Sequence, residues 1–158
     1  MEERGVRGGE REQQAEAQSL LLKLRQYQAQ AETTSQELAF VRQAIVEHGK
    51  AIETIKQLKH MKAGDELIVP IGANSSVYVT LSNTDKIIVS IGGGVSAEKD
   101  PDSSTEYLNE KKEELENSLR DMSGMMQKLE QEAQKLQARL QQIADSGTGT
   151  STGTGRTG

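Results

Sequence analysis

Apolar side chains recur along two long stretches of this chain in alternating steps of four and three residues. The mean period of 3.5 keeps one stripe of a helix turned toward a partner helix, which produces a left-handed coiled coil. The first stripe is Leu20, Leu24, Tyr27, Ala31, Thr34, Leu38, Val41, Ile45, His48, Ile52 and Ile55. The second is Leu108, Lys112, Leu115, Leu119, Met122, Met126, Leu129, Ala133, Leu136, Leu140 and Ile143. The pattern predicts two long helices that pair antiparallel as a rod.

Between the two helices the period of the apolar residues changes to two, which is typical of half-buried strands. Val77, Val79 and Leu81 alternate with polar neighbours in this way. Pro70 cannot donate a backbone hydrogen bond, so its strand belongs at a sheet edge or beside a bulge. Turn residues separate four short strands, which we expect at residues 67–71, 76–82, 87–91 and 95–99.

The predicted fold is mainly α: a long antiparallel two-helix coiled coil joined by a small four-stranded antiparallel β region of two hairpins. Ser103 and Glu106 have the spacing of a capping box, which predicts the start of the second helix. The terminal segments hold few apolar residues and are expected to be disordered. The boundaries are 1–9 for the N-terminus, 10–62 for helix 1, 64–99 for the β region, 103–144 for helix 2 and 145–158 for the Gly/Thr/Ser tail.

Composition narrows the class of protein. Only 34% of the 158 residues are hydrophobic and 3% are aromatic, too few for a compact globule but enough for a narrow apolar stripe. The net charge of -5 disfavours nucleic acid as a partner, and the absence of cysteine excludes disulfides and thiolate chemistry. No apolar stretch has the length of a membrane span or the pattern of a signal peptide. A soluble, cytoplasmic protein without a membrane or nucleic-acid partner is expected.

The residues that carry chemistry in enzymes do not form a recognisable constellation here. The segment 91–94 is Gly-rich but lacks the spacing of a phosphate-binding loop, and it is expected to be a tight bend between strands. His48 and His60 have no cysteine or carboxylate at the spacing of metal ligands. No nucleophile is paired with a base. We therefore expect no enzyme activity, no catalytic residue, no metal and no cofactor.

Leu21 and Leu22 lie off the coiled-coil stripe, at positions e and f of the heptad, and position f points away from the partner helix. Exposed leucine at the free end of a rod adds nothing to helix pairing, which indicates a contact with another molecule. Scattered apolar surface is ordinary, and this remains the alternative interpretation. The predicted binding surface at this end comprises Leu20, Leu21, Leu22, Leu24, Leu136, Leu140 and Ile143.

The predicted β region is too small to form a closed barrel within one subunit. Four short strands cannot close into a filled barrel, which needs about eight strands. Their unpaired edges attract strands of another chain. We expect the sheet to be completed by other subunits through Leu67, Val69, Val77, Val79, Leu81, Ile87, Val89 and Ile91.

Two segments of the β region carry a family resemblance. They are Gly-Asp-Glu-Leu-Ile-Val-Pro-Ile-Gly-Ala at 64–73 and Ile-Ile-Val-Ser-Ile-Gly-Gly-Gly-Val at 87–95. Together with the flanking helices, residues 12–144 resemble a prefoldin subunit of the α class, most similar to the archaeal form. Four strands, rather than the two of a β-class subunit, favour the α class.

The resemblance implies a hexamer of two α-class and four β-class subunits, in which the strands form an intersubunit double β-barrel and six coiled coils project from it. It also implies an ATP-independent holdase that captures unfolded client proteins at the coiled-coil tips and passes them to a group II chaperonin. The alternative is a structural coiled-coil adaptor that uses its β region only to oligomerise. An adaptor binds one partner with definite stoichiometry, whereas a chaperone binds many denatured chains.

Overall fold

The chain forms two long helices, with two β-hairpins between them in the sequence, in the order α1–β1–β2–β3–β4–α2. The computed structural model describes the backbone of residues 2–148 and the side chains of residues 7–147. The elements are α1 at Glu2–Leu58, β1 at Glu66–Gly72, β2 at Ser75–Thr80, β3 at Ile87–Gly92, β4 at Val95–Lys99 and α2 at Pro101–Thr148. The predicted fold class is confirmed, with two helices around two antiparallel hairpins.

Helix α1 starts earlier and ends earlier than its composition predicts. It begins at Glu2, inside the segment expected to be disordered. It ends at Leu58 rather than residue 62. The N–H of His60 donates to the Gln57 carbonyl oxygen at 3.0 Å, an i→i−3 bond that tightens the chain and terminates the α-helical pattern.

Helix α2 is capped by Asp100, not by the predicted Ser103 motif. One carboxylate oxygen of Asp100 accepts the N–H of Ser103 at 3.0 Å, and its carbonyl oxygen accepts the N–H of Ser104 at 2.9 Å. Pro101 occupies the first helical position, where its missing N–H costs nothing and its fixed φ suits the helix. An aspartate cap followed by proline is a complete start signal, so Ser103 lies inside the first turn.

The far end of α2 extends past its predicted limit. The helix continues to Thr148, so the first part of the segment at 145–158 is helical rather than disordered. Residues 149–158, the rest of the predicted tail, lie outside the described residues. Among the described residues, neither helix combines the length and apolar character needed to cross a membrane.

The two hairpins are built alike. β1 pairs with β2 and β3 pairs with β4, and both ladders shift register at a glycine, Gly72 or Gly92, with φ near +100°. The two residues that follow each glycine also have positive φ, as a two-residue type I′ turn requires. The sequences repeat at an interval of twenty residues, with identical pairs Ile68/Ile88, Val69/Val89, Ile71/Ile91, Gly72/Gly92 and Ser76/Ser96.

The chain divides into two compact units. The helical unit comprises Met1–Ala39 with Arg120–Gly158, and the hairpin unit comprises Phe40–Leu119. Within each unit the two helices run antiparallel: Arg139 contacts Glu16 in the first, and Lys59 pairs with Asp102 in the second. The buried residues of the helical unit are Thr34, Leu38 and Leu129, and those of the hairpin unit are Ile52, Ile55, Val89 and Ser104.

Candidate binding surfaces

Two adjacent leucines of α1 are open to solvent in the helical unit. Leu21 is 45% exposed and Leu22 is 66% exposed. Gln18, Leu21, Leu22 and Arg25 border a shallow groove of about 290 Å³. Their spacing of i, i+3, i+4 and i+7 places all four on one face of the helix. We call Leu21 and Leu22 the leucine patch, bordered by Gln18 and Arg25.

The other residues of the predicted binding surface have a different role in the structure. All of them are half-buried, because they belong to the stripes through which the helices pair: Leu20, Leu24, Leu136, Leu140 and Ile143. Ile143 also borders a groove of about 350 Å³ that contains Gln13, Gln14 and Ala17. Within the predicted binding surface, the residues that are exposed to solvent are therefore Leu21 and Leu22, the leucine patch.

An ion pair joins the helices close to the leucine patch. Arg139 donates to both carboxylate oxygens of Glu16, from Nε at 2.7 Å and from Nη2 at 3.1 Å. The hydrogen bonds from Arg139, with its positive charge, lower the pKa of Glu16 below its ordinary value of 4.5, and the same pairing raises the pKa of Arg139. Because Glu16 lies one helical turn before Leu20, this bidentate contact ties the two helices together beside the patch.

The coiled coil is thin where alanines of its two stripes meet. Tyr27, Ala31, Leu129 and Ala133 line a groove of about 270 Å³ in the helical unit. The small side chains of Ala31 and Ala133 leave this space unfilled, as their place in the stripes predicts. Leu38, by contrast, is buried.

The predicted oligomerisation residues do not form one uniform surface. Val89 is only 5% exposed, and it lines a groove of about 520 Å³ together with Ile55 of α1 and Leu108 of α2. Its side chain therefore packs inside the subunit. Among the other predicted residues, three are exposed, namely Val69, Val77 and Ile91. Four are half-buried, namely Leu67, Val79, Leu81 and Ile87.

The opposite faces of both hairpins also carry large exposed apolar side chains, which the predicted oligomerisation residues did not include. Tyr78 is 71% exposed and stands directly across the ladder from Ile68, while Ile88 is 73% exposed. The signal was present in the sequence, because these positions are the polar phase of a period-two pattern but hold Ile and Tyr. Apolar residues on both faces indicate a strand pair that becomes covered on both sides. The other exposed apolar residues of the hairpins are Ile71 and Val95.

The second hairpin is also held to α2 by charge. The ammonium of Lys99, at the end of β4, lies 5.6 Å from the ring centre of Tyr107, and that of Lys111 lies 5.9 Å away. Both distances are within the range of cation–π attraction. The Lys99–Tyr107 contact links the end of β4 to the first turns of α2.

Two polar residues of the stripes, His48 and Lys112, make contacts within their own helices. His48 is half-buried, and its Nδ1 donates to the carbonyl oxygen of Ala44 at 2.7 Å. Lys112 pairs with Glu116 on its own helix at 3.6 Å. In the range that the structure describes, no group of three His, Asp or Glu residues is arranged to hold a metal ion.

Comparison with known proteins identifies the family to which this architecture belongs. The model of the Prefoldin family, described as prefoldin subunit, matches residues 27–146. Prefoldin subunit alpha of Methanosarcina mazei is 36% identical over 131 residues, which cover 81% of this chain and 92% of that protein. Prefoldin subunit alpha of Methanobrevibacter smithii is 34% identical over 144 residues, covering 91% of this chain and 98% of that protein.

A solved structure has the same architecture. A chain of the filamentous PFD from Methanocaldococcus jannaschii, determined by cryo-EM, has a TM-score of 0.62 and 25% sequence identity. The match covers 73% of this chain and 95% of that chain. The chain thus has the fold of coiled-coil proteins whose two helices are joined by β-hairpins. This chain belongs to the prefoldin family of chaperone subunits, among the archaeal-type α subunits.

Proposed function

We propose that this chain is a subunit of an ATP-independent holdase that captures unfolded proteins at the free ends of its helices and transfers them to a group II chaperonin. The leucine patch carries this proposal, and because α1 begins at Glu2 the patch lies about five helical turns inside α1 rather than at its first turn. Leu22 is 66% exposed at a heptad position that helix pairing does not use. A soluble coiled coil gains no stability from such a residue, whereas a binding surface for apolar segments requires it.

The proposed mechanism rests on many weak contacts. An unfolded client exposes varied apolar groups, so a shaped pocket cannot fit them all. Several subunits that each present a leucine patch bind such a chain by avidity, without a strong individual site. Release then needs competition from a chaperonin for the same apolar segments, rather than nucleotide hydrolysis. The proposed place of action is the cytoplasm.

The proposed assembly contains two copies of this α subunit and four β-class subunits, joined through an intersubunit β-barrel. Support comes from the hairpins, since β1–β2 and β3–β4 are separate two-stranded sheets with unpaired edges among the described residues. Large apolar side chains are exposed on both hairpins, including Ile68 at 63% and Ile71 at 67%. Strands of neighbouring subunits would satisfy the edges and cover these side chains together.

The proposal is tested by suppression of aggregation with chemically denatured proteins of unrelated sequence. Leu21→Ser and Leu22→Ser combined should reduce suppression strongly while helix content and assembly size stay unchanged. Phe40→Ser and Val46→Ser combined provide a matched control, since these residues are 77% and 48% exposed on the same helix. Full suppression by the leucine variant would contradict the proposal. Binding of a single partner at fixed stoichiometry, and of no denatured chain, would identify an adaptor instead.

A further inference from the structure

The charges around the leucine patch have one sign. Between Glu16 and Glu32, the charged residues of α1 are Lys23 and Arg25, and both are exposed. Among the described side chains, neither forms an ion pair. Arg25 borders the same groove as Leu21 and Leu22. The groove of the patch therefore has one positive charge at its border, Arg25, and Lys23 adds a second on another face of the same part of α1. The net charge of the chain is -5.

The second helix adds no negative charge beside the patch. Arg139 is the charged residue of the segment 136–144, and it neutralises Glu16. Farther along α2, Glu132 is compensated by Lys135, whose ammonium lies 2.6 Å away. The acidic residues nearest the patch in sequence are thus already paired. Lys23 and Arg25 are the charged residues of α1 nearest the patch in sequence that form no ion pair among the described side chains.

We propose that the leucine patch selects apolar polypeptide segments flanked by acidic residues, with Arg25 contacting a client carboxylate and Lys23 adding positive charge to the same part of α1. This inference rests on the proposed holdase function and specifies the chemistry of its clients. Arg25 lies three and four residues after Leu22 and Leu21, so its guanidinium can reach a carboxylate next to a bound apolar side chain. Opposite charge beside an apolar contact favours association and discriminates against like-charged segments.

Two fluorescently labelled peptides test the proposal, with the same Leu-rich core and either glutamates or lysines on both flanks. The full-length protein, in the assembly that it forms in solution, is titrated and peptide anisotropy is recorded. Lys23→Glu with Arg25→Glu should weaken binding of the Glu-flanked peptide about five-fold and strengthen that of the Lys-flanked peptide. Both shifts should shrink at about 1 M salt, where exposed charges are screened.

Arg42→Glu with Lys50→Glu is the matched control, because it changes the net charge equally at exposed residues of α1 in the hairpin unit. Equal shifts in the control and in the Lys23/Arg25 variant would overturn the selection rule, since only the total charge would then matter. Unchanged affinities in the Lys23/Arg25 variant would overturn it as well.

A leucine variant separates this inference from the proposed function. Leu21→Ser with Leu22→Ser should weaken binding of both peptides, whatever their flanking charges. If that loss occurs without any effect of the charge reversal, the selection rule fails and the holdase surface stands. If the leucine variant binds both peptides as the native protein does, both the surface and the selection rule fail.

Discussion

Val69 and Val89 occupy equivalent positions in the two hairpins, yet Val69 is 39% exposed and Val89 is 5% exposed. Each follows an isoleucine, precedes the register shift of its hairpin, and pairs with a residue of the returning strand, Val77 or Ala97. The difference arises because the β3–β4 hairpin packs on α1 and α2 of its own chain. In the β1–β2 hairpin the corresponding residues Val69 and Val77 remain exposed.

Aspartate substitutions at these two positions should therefore have different effects, one on stability and the other on assembly. Val89→Asp buries an unpaired charge inside the subunit and should lower the free energy of unfolding by about 3 kcal/mol. Val69→Asp should leave the monomer's thermal midpoint nearly unchanged and prevent assembly with a β-class subunit. Light scattering and calorimetry measure the two effects. Assembly by Val69→Asp to the native size would contradict the role given to the first hairpin.

The Arg139–Glu16 contact should limit opening of the helices beside the leucine patch. Arg139→Gln removes the charge and the bidentate geometry, so amide hydrogen exchange should accelerate at residues 13–24 and 136–143. Lys135→Gln is the control, because Lys135 pairs with Glu132 on its own helix and joins nothing across the interface. Equal exchange in the native and Arg139→Gln proteins would show that the contact does not hold the helices together.

Filling the groove beside Ala31 and Ala133 should stabilise the coiled coil. Ala133→Leu places three more carbons in the groove that Tyr27, Ala31 and Leu129 border, and should raise the free energy of unfolding by about 1 kcal/mol. Ala138→Leu makes the same change at an exposed position of α2 and should have little effect. Urea denaturation compares the variants. An equal gain in both would contradict the account, because it would show that the stabilisation does not come from filling this groove.

The cap of α2 should make stability depend on pH in the acid range. Hydrogen bonds from Ser103 hold the pKa of Asp100 below its ordinary value of 3.8. The charged carboxylate therefore stabilises the fold above pH 3.8, and this contribution disappears as pH falls through the lower pKa of the folded state. Asp100→Asn caps by its amide oxygen at every pH.

The stability difference between native protein and Asp100→Asn should accordingly shrink as the pH is lowered below 3.8. Urea denaturation midpoints across a pH series measure this difference. A difference that stays constant down to the acid transition would contradict the assigned cap.

The helices and hairpins could be predicted from the sequence because each has a strong periodic signal. Steps of three and four specify the stripe from Leu20 to Ile55, and alternation specifies strands such as β3. Gly92 and the glycines that follow it suit the turn of a hairpin. These signals are local, so they need no knowledge of the tertiary structure.

The surfaces were harder to predict because exposure depends on contacts distant in sequence. The identical residues Val69 and Val89 have the same local pattern, and only packing against the helices separates them. The alternation likewise predicts only one apolar face for β3, whereas Ile88 on the other face is also apolar and 73% exposed. The start of α2 was misplaced because Ser103 and Asp100 are both capable caps, and Pro101 decides between them.

Site-specific crosslinking tests the central claim most directly. A photo-reactive amino acid is placed at Leu22 in one protein and at Phe40 in another, both exposed on α1. Each assembly is irradiated just after dilution of a denatured client. We expect client crosslinks from position 22 and few from position 40. Equal crosslinking from both positions, or none from position 22, would contradict capture by the leucine patch.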